Sequence, residues 1–213
     1  MENEIIKTEL TPTEKIYYVF YQTKKKQMYF NEIRVKTKMS ISSLQNVLSK
    51  LEKNNEITKI KEKGNVFYNL KDRDSIALNF TKFGIQKFNN LNRNVKIPLK
   101  EFLEKINNIS FILFFGSASI GQEKKGSDID LLIVAYYFEE KELNEKYKKE
   151  IKINIEQIKK SVNAKSLYPL NLVFVDEKEF QMRKDYLLDE AKKTGFCIYN
   201  QQKYYKEVLN NED

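Results

Sequence analysis

FILFFGSASIGQEKKGSDIDLLIV, residues 111–134, sets two apolar runs on either side of a polar turn. Phe111 to Phe115 is short, continuous, apolar and closed by Gly116, which is the pattern of a fully buried strand. Ten residues follow Ser117, and then come Asp128 and Asp130, followed at once by Leu131, Leu132, Ile133 and Val134. The second run predicts another strand over 128–136. Side chains alternate along a strand, so Asp128 and Asp130 are expected on one face and Ile129 on the other.

Two adjacent carboxylates at the mouth of a sheet repel each other unless a cation lies between them. Hard oxygen ligands suit Mg²⁺ or Mn²⁺, and Mg²⁺ commonly fills its remaining positions with phosphate oxygens and water. Gly116 allows a close backbone approach, and Ser117 adds a hydroxyl and an N–H at the start of an expected helical turn. Together these features point to chemistry on a metal-bound nucleoside triphosphate.

Gly116-Ser117, ten residues, then Asp128-Ile129-Asp130 resembles the signature of the DNA polymerase β-type nucleotidyltransferase superfamily, in particular its minimal nucleotidyltransferase branch. Gly121 and Ser127 stand where that branch has Gly and Ser. The resemblance implies a small mixed sheet flanked by helices. It assigns Gly116, Ser117 and Ser127 to the nucleotide, and Asp128 and Asp130 to catalysis as ligands of Mg²⁺ or Mn²⁺. ATP is the nucleotide it implies.

The 213-residue chain has room for one large or two small domains. It contains no apolar run of about 18 residues and no signal-like start, so a soluble, cytoplasmic protein without membrane association is expected. The single Cys197 excludes an internal disulfide and reads as a small buried hydrophobe. With no histidine, imidazole bases and His-ligated zinc are excluded. The net charge of +8 is unevenly placed: residues 1–96 carry 19 Lys+Arg against 10 Asp+Glu, and residues 97–213 carry 19 against 20. A basic N-terminal part suggests a polyanionic partner such as nucleic acid, and two domains, 1–95 and 96–213.

Residues 1–10 are a polar lead-in. A helix is predicted from Thr11 to about Lys25, a short one from Asn31, and a third capped by Ser40 with Leu44, Val47, Leu48 and Leu51 as its apolar stripe. Ile57–Ile60 and Val66–Leu70 predict a hairpin around Lys63-Gly64-Asn65. A strand near Ile76–Phe80 and a helix capped by Thr81 follow. A polar linker covers 92–96, and Pro98 is expected to open a helix through Asn108. Residues 139–162 form a long helix with Leu143, Tyr147, Ile151, Ile155, Ile158 and Val162 on one face. Leu170–Val175 is a strand, 177–193 a helix ending at Gly195, 196–199 a short strand, and the tail from Asn200 is expected to be loosely held.

The N-terminal order of helix, short helix, helix and two-stranded wing resembles a winged helix-turn-helix domain over about residues 10–92. That resemblance implies a double-stranded DNA partner. The third helix would present Ser42, Ser43, Gln45, Asn46, Ser49 and Lys50 outward, the short polar side chains and amides to base edges, with Lys50, Lys53, Lys61 and Lys63 on phosphates. The expected whole is a two-domain α+β or α/β protein. Winged helices often dimerise on two half-sites, so a homodimer is the expected assembly.

In the superfamily a third carboxylate on the next strand completes the metal site. In PLNLVFVD the aligned position is Asn171, whose amide carries no charge and cannot act as a base. Asp176 lies on the opposite face by alternation, Glu123 in the loop is a stand-in, and Ile120 replaces a basic residue that Lys124 and Lys125 partly offset. Two functions follow. One is an enzyme transferring NMP, AMP from ATP, to a hydroxyl of a protein or small molecule, with a companion toxin as one protein target that the resemblance implies. The other is a DNA-binding regulator whose impaired nucleotidyltransferase domain senses nucleotide or binds a toxin partner.

Overall fold

The structure, a computed structural model, describes the backbone of residues 10–62, 64–183 and 185–208. The chain divides into two compact units, residues 1–83 with 205–211 and residues 84–204 with 212–213, the first boundary falling at Phe83/Gly84. No helix among the described residues is long and apolar enough to cross a membrane.

The first unit opens with α1, Pro12–Thr23. Thr11 and Glu14 cap it reciprocally, each side chain taking up the other's orphan backbone N–H. After β1 (Gln27–Tyr29) and α2 (Phe30–Thr37) comes α3, Ile41–Lys53, whose first turn is closed by Ser40 accepting from the Ser43 N–H. Leu44, Leu48 and Leu51 of α3 are buried and set its inner face. β2 (Ile57–Glu62) and β3 (Asn65–Leu70) form the predicted hairpin, and β1 adds to β3, giving an antiparallel sheet in the order β1-β3-β2. Strand β1 was not expected. Its three residues carry no period of their own and exist as a strand only through distant partners such as Met28 opposite Tyr68.

Residues 73–89 correct another expectation, because one continuous helix, α4 (Arg73–Asn89), replaces the predicted strand and Thr81-capped helix. Ile76, Leu78 and Phe80 alternate in type, which suggested a strand. Leu78 is in fact 66% exposed, while Ile76, Ala77, Phe80 and Phe83 are buried at helical spacing. Asp72 supports the helix start by accepting from the Ser75 N–H at 3.0 Å.

The second unit holds α5 (Arg93–Lys105), β4 (Phe111–Phe115), a 3₁₀ turn (Ser117–Ile120), β5 (Ile129–Ala135), α6 (Lys141–Asn163), β6 (Leu170–Asp176), α7 (Glu177–Met182), α8 (Tyr186–Thr194) and β7 (Phe196–Tyr199). The sheet order is β6-β5-β4-β7; β5 and β6 run parallel, joined through α6, and the other pairs are antiparallel. β4 and β5 are the central strands, which is why both read as unbroken apolar runs and are almost wholly buried.

Helix α5 starts at Arg93, earlier than Pro98 suggested, because the Asn92 side chain accepts from the Asn94 N–H and caps it there. Pro98 lies in its second turn, where it removes one ladder bond. On α6 the inner face is Asn144, Ile151, Ile155, Ile158 and Val162, while Leu143 is 45% exposed, contrary to expectation. The helix predicted over 177–193 is two helices. Asp185 caps the second by accepting from the Leu188 N–H, and Arg183 is extended. The tail is also not loose over its described residues, 200–208: it forms a helical turn over 201–203 and a π-helix, Tyr204–Val208, with Tyr204 and Tyr205 both 3% exposed, while 209–213 lie outside the described residues. Within the first unit, Tyr205 packs edge-on against Tyr21 and Phe80.

Candidate active site

At the end of β4 the chain turns on Gly116, whose φ of 73° and ψ of −173° belong to a region open essentially to glycine alone. Sheet register sets Phe115 opposite Asp130. A Cβ on Gly116 would meet Asp130 Oδ2 at 2.2 Å, so the bare Cα is also what makes room for that carboxylate. Sequence reasoning took Gly116 as a phosphate-side residue; its first contact is with the acid.

The turn beyond is tied down by Ser119, a residue that sequence reading passed over. Its N–H and its Oγ–H both donate to the Gly116 carbonyl, at 3.1 and 2.8 Å, and the side chain is buried. The signal was present in the Gly-Ser-Ala-Ser string, where the second serine falls one 3₁₀ turn after the glycine. Ser117 remains exposed, and its carbonyl accepts from the Gln122 N–H. Gly121 ends the turn in the left-handed region.

Residues 124–127 close on themselves. The Lys124 N–H donates to Ser127 Oγ at 2.8 Å, the Ser127 N–H donates to the Lys124 carbonyl, and Gly126 takes a positive φ. Ser127 Oγ therefore accepts within the loop and keeps its own O–H as a donor. Ser117, Gln122, Glu123, Lys124 and Ser127 line a cleft of about 570 Å³. Ser117 and Ser127 thus line the same cleft. Ile120 and Lys125 are exposed and do not line it.

Asp128 is exposed and just precedes β5, so the strand starts one residue later than the predicted 128; Asp130 is half-buried inside it. In the parallel β5–β6 pair Asp130 stands opposite Asn171, and the Asn171 Nδ2–H donates to Asp130 Oδ1 at 2.8 Å. Burial pushes the Asp130 carboxyl above the usual range, the Asn171 amide pulls it back, and the Asp128 charge raises it further. Two like charges within electrostatic reach, one partly desolvated, form a donor set that a hard divalent cation would relieve.

No third acid joins them. Among the described residues there is no group of three or more His, Cys, Asp or Glu able to hold a metal ion, so Glu123 does not complete the pair. Its Oε2 is instead buried without a hydrogen-bond partner at the cleft wall. Asp176 is 4% exposed at the far end of β6, where it caps α7 and pairs with Lys148 at 3.0 Å.

In the first unit, Ser42, Gln45, Asn46, Ser49, Lys50 and Lys53 lie on the exposed side of α3, and Lys61 is exposed on β2. Ser43 is half-buried, its N–H spent on the Ser40 cap. Lys63 lies outside the described residues.

Residues 97–194 match the family model of the nucleotidyltransferase domain. The match takes in the Gly116 turn, Asp128, Asp130 and Asn171, and excludes residues 1–96. No curated protein matches the chain.

Proposed function

We propose that residues 96–213 form a domain that transfers a nucleoside monophosphate, AMP from ATP, to a hydroxyl of a protein or small molecule. What carries this reading is Asp130 packed against the Gly116 turn with the Asp128 charge acting on it, inside the stretch matched by the nucleotidyltransferase model. Asp128 and Asp130 would hold Mg²⁺ or Mn²⁺, which when bound offsets negative charge developing on the phosphates. Ser117 and Ser127 offer hydroxyl donors to phosphate oxygens across the cleft, and Lys124 adds a positive charge at its edge. The acceptor oxygen attacks the α-phosphorus, the α–β bridging bond breaks, and pyrophosphate leaves. The hydroxyl proton goes to solvent, because an amide at position 171 cannot take it. Incubation with α-labelled ATP, Mg²⁺ and candidate acceptors tests the reading: label on an acceptor supports it, and its loss in Asp128→Asn/Asp130→Asn assigns the site.

A second reading is favoured by one observation, the Asn171 amide bonded to Asp130 where a base is needed. In it the domain binds nucleotide without turnover, as a sensor or as the docking module for a toxin partner. Nucleotide binding with no label on any acceptor would select it.

For residues 1–95 the reading is a winged helix-turn-helix that binds double-stranded DNA as a homodimer in the cytoplasm. The element order helix, strand, helix, helix, two-stranded hairpin and the polar outer side of α3 support it. Ser42, Ser43, Gln45, Asn46 and Ser49 would face base edges in the groove, with Lys50, Lys53, Lys61 and Lys63 on phosphates. Affinity for duplex DNA should fall steeply with salt, and each of Lys50→Ala and Lys61→Ala should reduce the slope by about one. A flat salt response would remove this reading.

A further inference from the structure

Carboxylate oxygens only accept hydrogen bonds, so the amide facing Asp130 must present its NH₂ group and keep its own oxygen for something else. Asn171 and Asp130 are register neighbours on parallel strands, where the sheet itself fixes their spacing. The other Asp130 oxygen lies against the Gly116 Cα with no room for a methyl group. Asp130 is thus held on both sides, by an N–H donor and by packing. No third acid stands beside it among the described residues.

Binding two divalent ions about 3.5–4 Å apart requires anionic oxygens shared between them to offset the repulsion of the ions. Here the protein offers two negative charges, and one of the four carboxylate oxygens is already engaged by a neutral donor. An acid at position 171 would bring the charge of the group to −3; the amide leaves it at −2 and supplies a donor that fixes Asp130 without any cation.

We infer that Asn171 is a positioning residue that limits this site to a single divalent cation, by clamping Asp130 with a neutral donor in place of a third charge. The inference rests on the reading of Asp128 and Asp130 as metal ligands. It deepens that reading, because a site of one ion differs from a site of two in what it can bind and how tightly.

The test is Mn²⁺ titration of the full chain with α,β-methylene ATP, bound ions being counted by electron paramagnetic resonance. Wild type should bind one Mn²⁺ per chain and Asn171→Asp two. Asn171→Ala should keep one, weakened roughly ten- to a hundredfold by loss of the outer partner. Circular dichroism melts establish that each variant is folded, and the wild-type count stands whether or not the aspartate variant folds. Two ions on wild type, or one on a folded Asn171→Asp, overturns the inference and leaves the metal-site reading intact. No ion on wild type overturns both.

Discussion

The two ends of β6 carry chemically similar residues in opposite circumstances. Asn171, at the end beside Asp130, is exposed and makes one side-chain bond, to a carboxylate that itself sits in a raised-pKa environment. Asp176, five residues on, is buried and doubly engaged. It accepts from the Glu179 N–H at 2.8 Å and from Lys148 Nζ at 3.0 Å, and the Glu179 side chain returns the bond to the Asp176 N–H. At the far end the acid is used up in holding α7 and α6 to the sheet. At the near end Asp128 is exposed, Asp130 is half-buried, and the charge of the first raises the pKa of the second. A buried carboxylate that is fully partnered serves the fold; a partly exposed pair of like charges costs stability that a bound cation would relieve.

The largest effect that would sharpen this contrast is loss of chemistry without loss of fold. Asp128→Asn/Asp130→Asn should bring transfer of labelled nucleotide to background, while the thermal midpoint in the absence of metal stays level or rises, since a repulsion is removed. A fall in the midpoint comparable to that of a core variant would make the near end structural too and break the comparison.

Gly116→Ala comes next. The added methyl collides with Asp130 Oδ2 and must take a φ that side chains avoid, so stability should drop by about 1–3 kcal/mol, read by urea unfolding. Combining it with Asp130→Gly should recover part of that loss, because the collision partner is gone; no recovery would refute the packing account.

Asp176→Ala should cost about 0.5–2 kcal/mol through the lost cap alone, and more because Lys148 keeps only Glu179 of its two carboxylate partners, with nucleotide binding unchanged. Asp176→Asn should be milder, because the amide oxygen still accepts from the Glu179 N–H.

The smallest effect is in pH. Burial works to raise the Asp176 carboxyl, but the Glu179 N–H and the Lys148 ammonium outweigh it and hold the pKa below its ordinary value of 3.8. A depressed folded pKa means the unfolded chain binds the proton first. The contribution is therefore full above pH 3.8 and is lost as pH falls through the lower folded value. Acid unfolding followed by circular dichroism should shift to higher pH in Asp176→Asn, and an unmoved transition would count against the pair.

How much of this the sequence disclosed depended on where the information was local. β4, β5 and β6 were legible because strands covered on both faces must be apolar throughout, and Gly116 punctuated the first of them. The α3 stripe was legible because Leu44, Leu48 and Leu51 repeat at helical spacing after a serine cap. β1 was hidden, since Gln27–Tyr29 pairs only with residues some forty positions away. Residues 76–80 satisfied two periods at once, and burial of Ala77 rather than Leu78 decided between them. At the candidate site the residue types and spacing were readable from the chain. The Gly116–Asp130 contact and the amide–carboxylate bond were not, because each depends on side-chain positions across strands; the Ser119 clasp on Gly116 is local, three residues apart, and its signal lay in the string itself.

Tyr205 has a consequence for how the molecule is born. Its ring belongs to the aromatic cluster of the first unit, with Tyr21 and Phe80, yet it emerges roughly 120 residues after Phe83. At about 5–20 residues per second that is a wait of about 6–24 s, during which the nascent first unit must persist with one wall of its cluster absent. Early folding of that unit is thus provisional, and the ribosome has to translate nearly the whole intervening unit before the cluster closes.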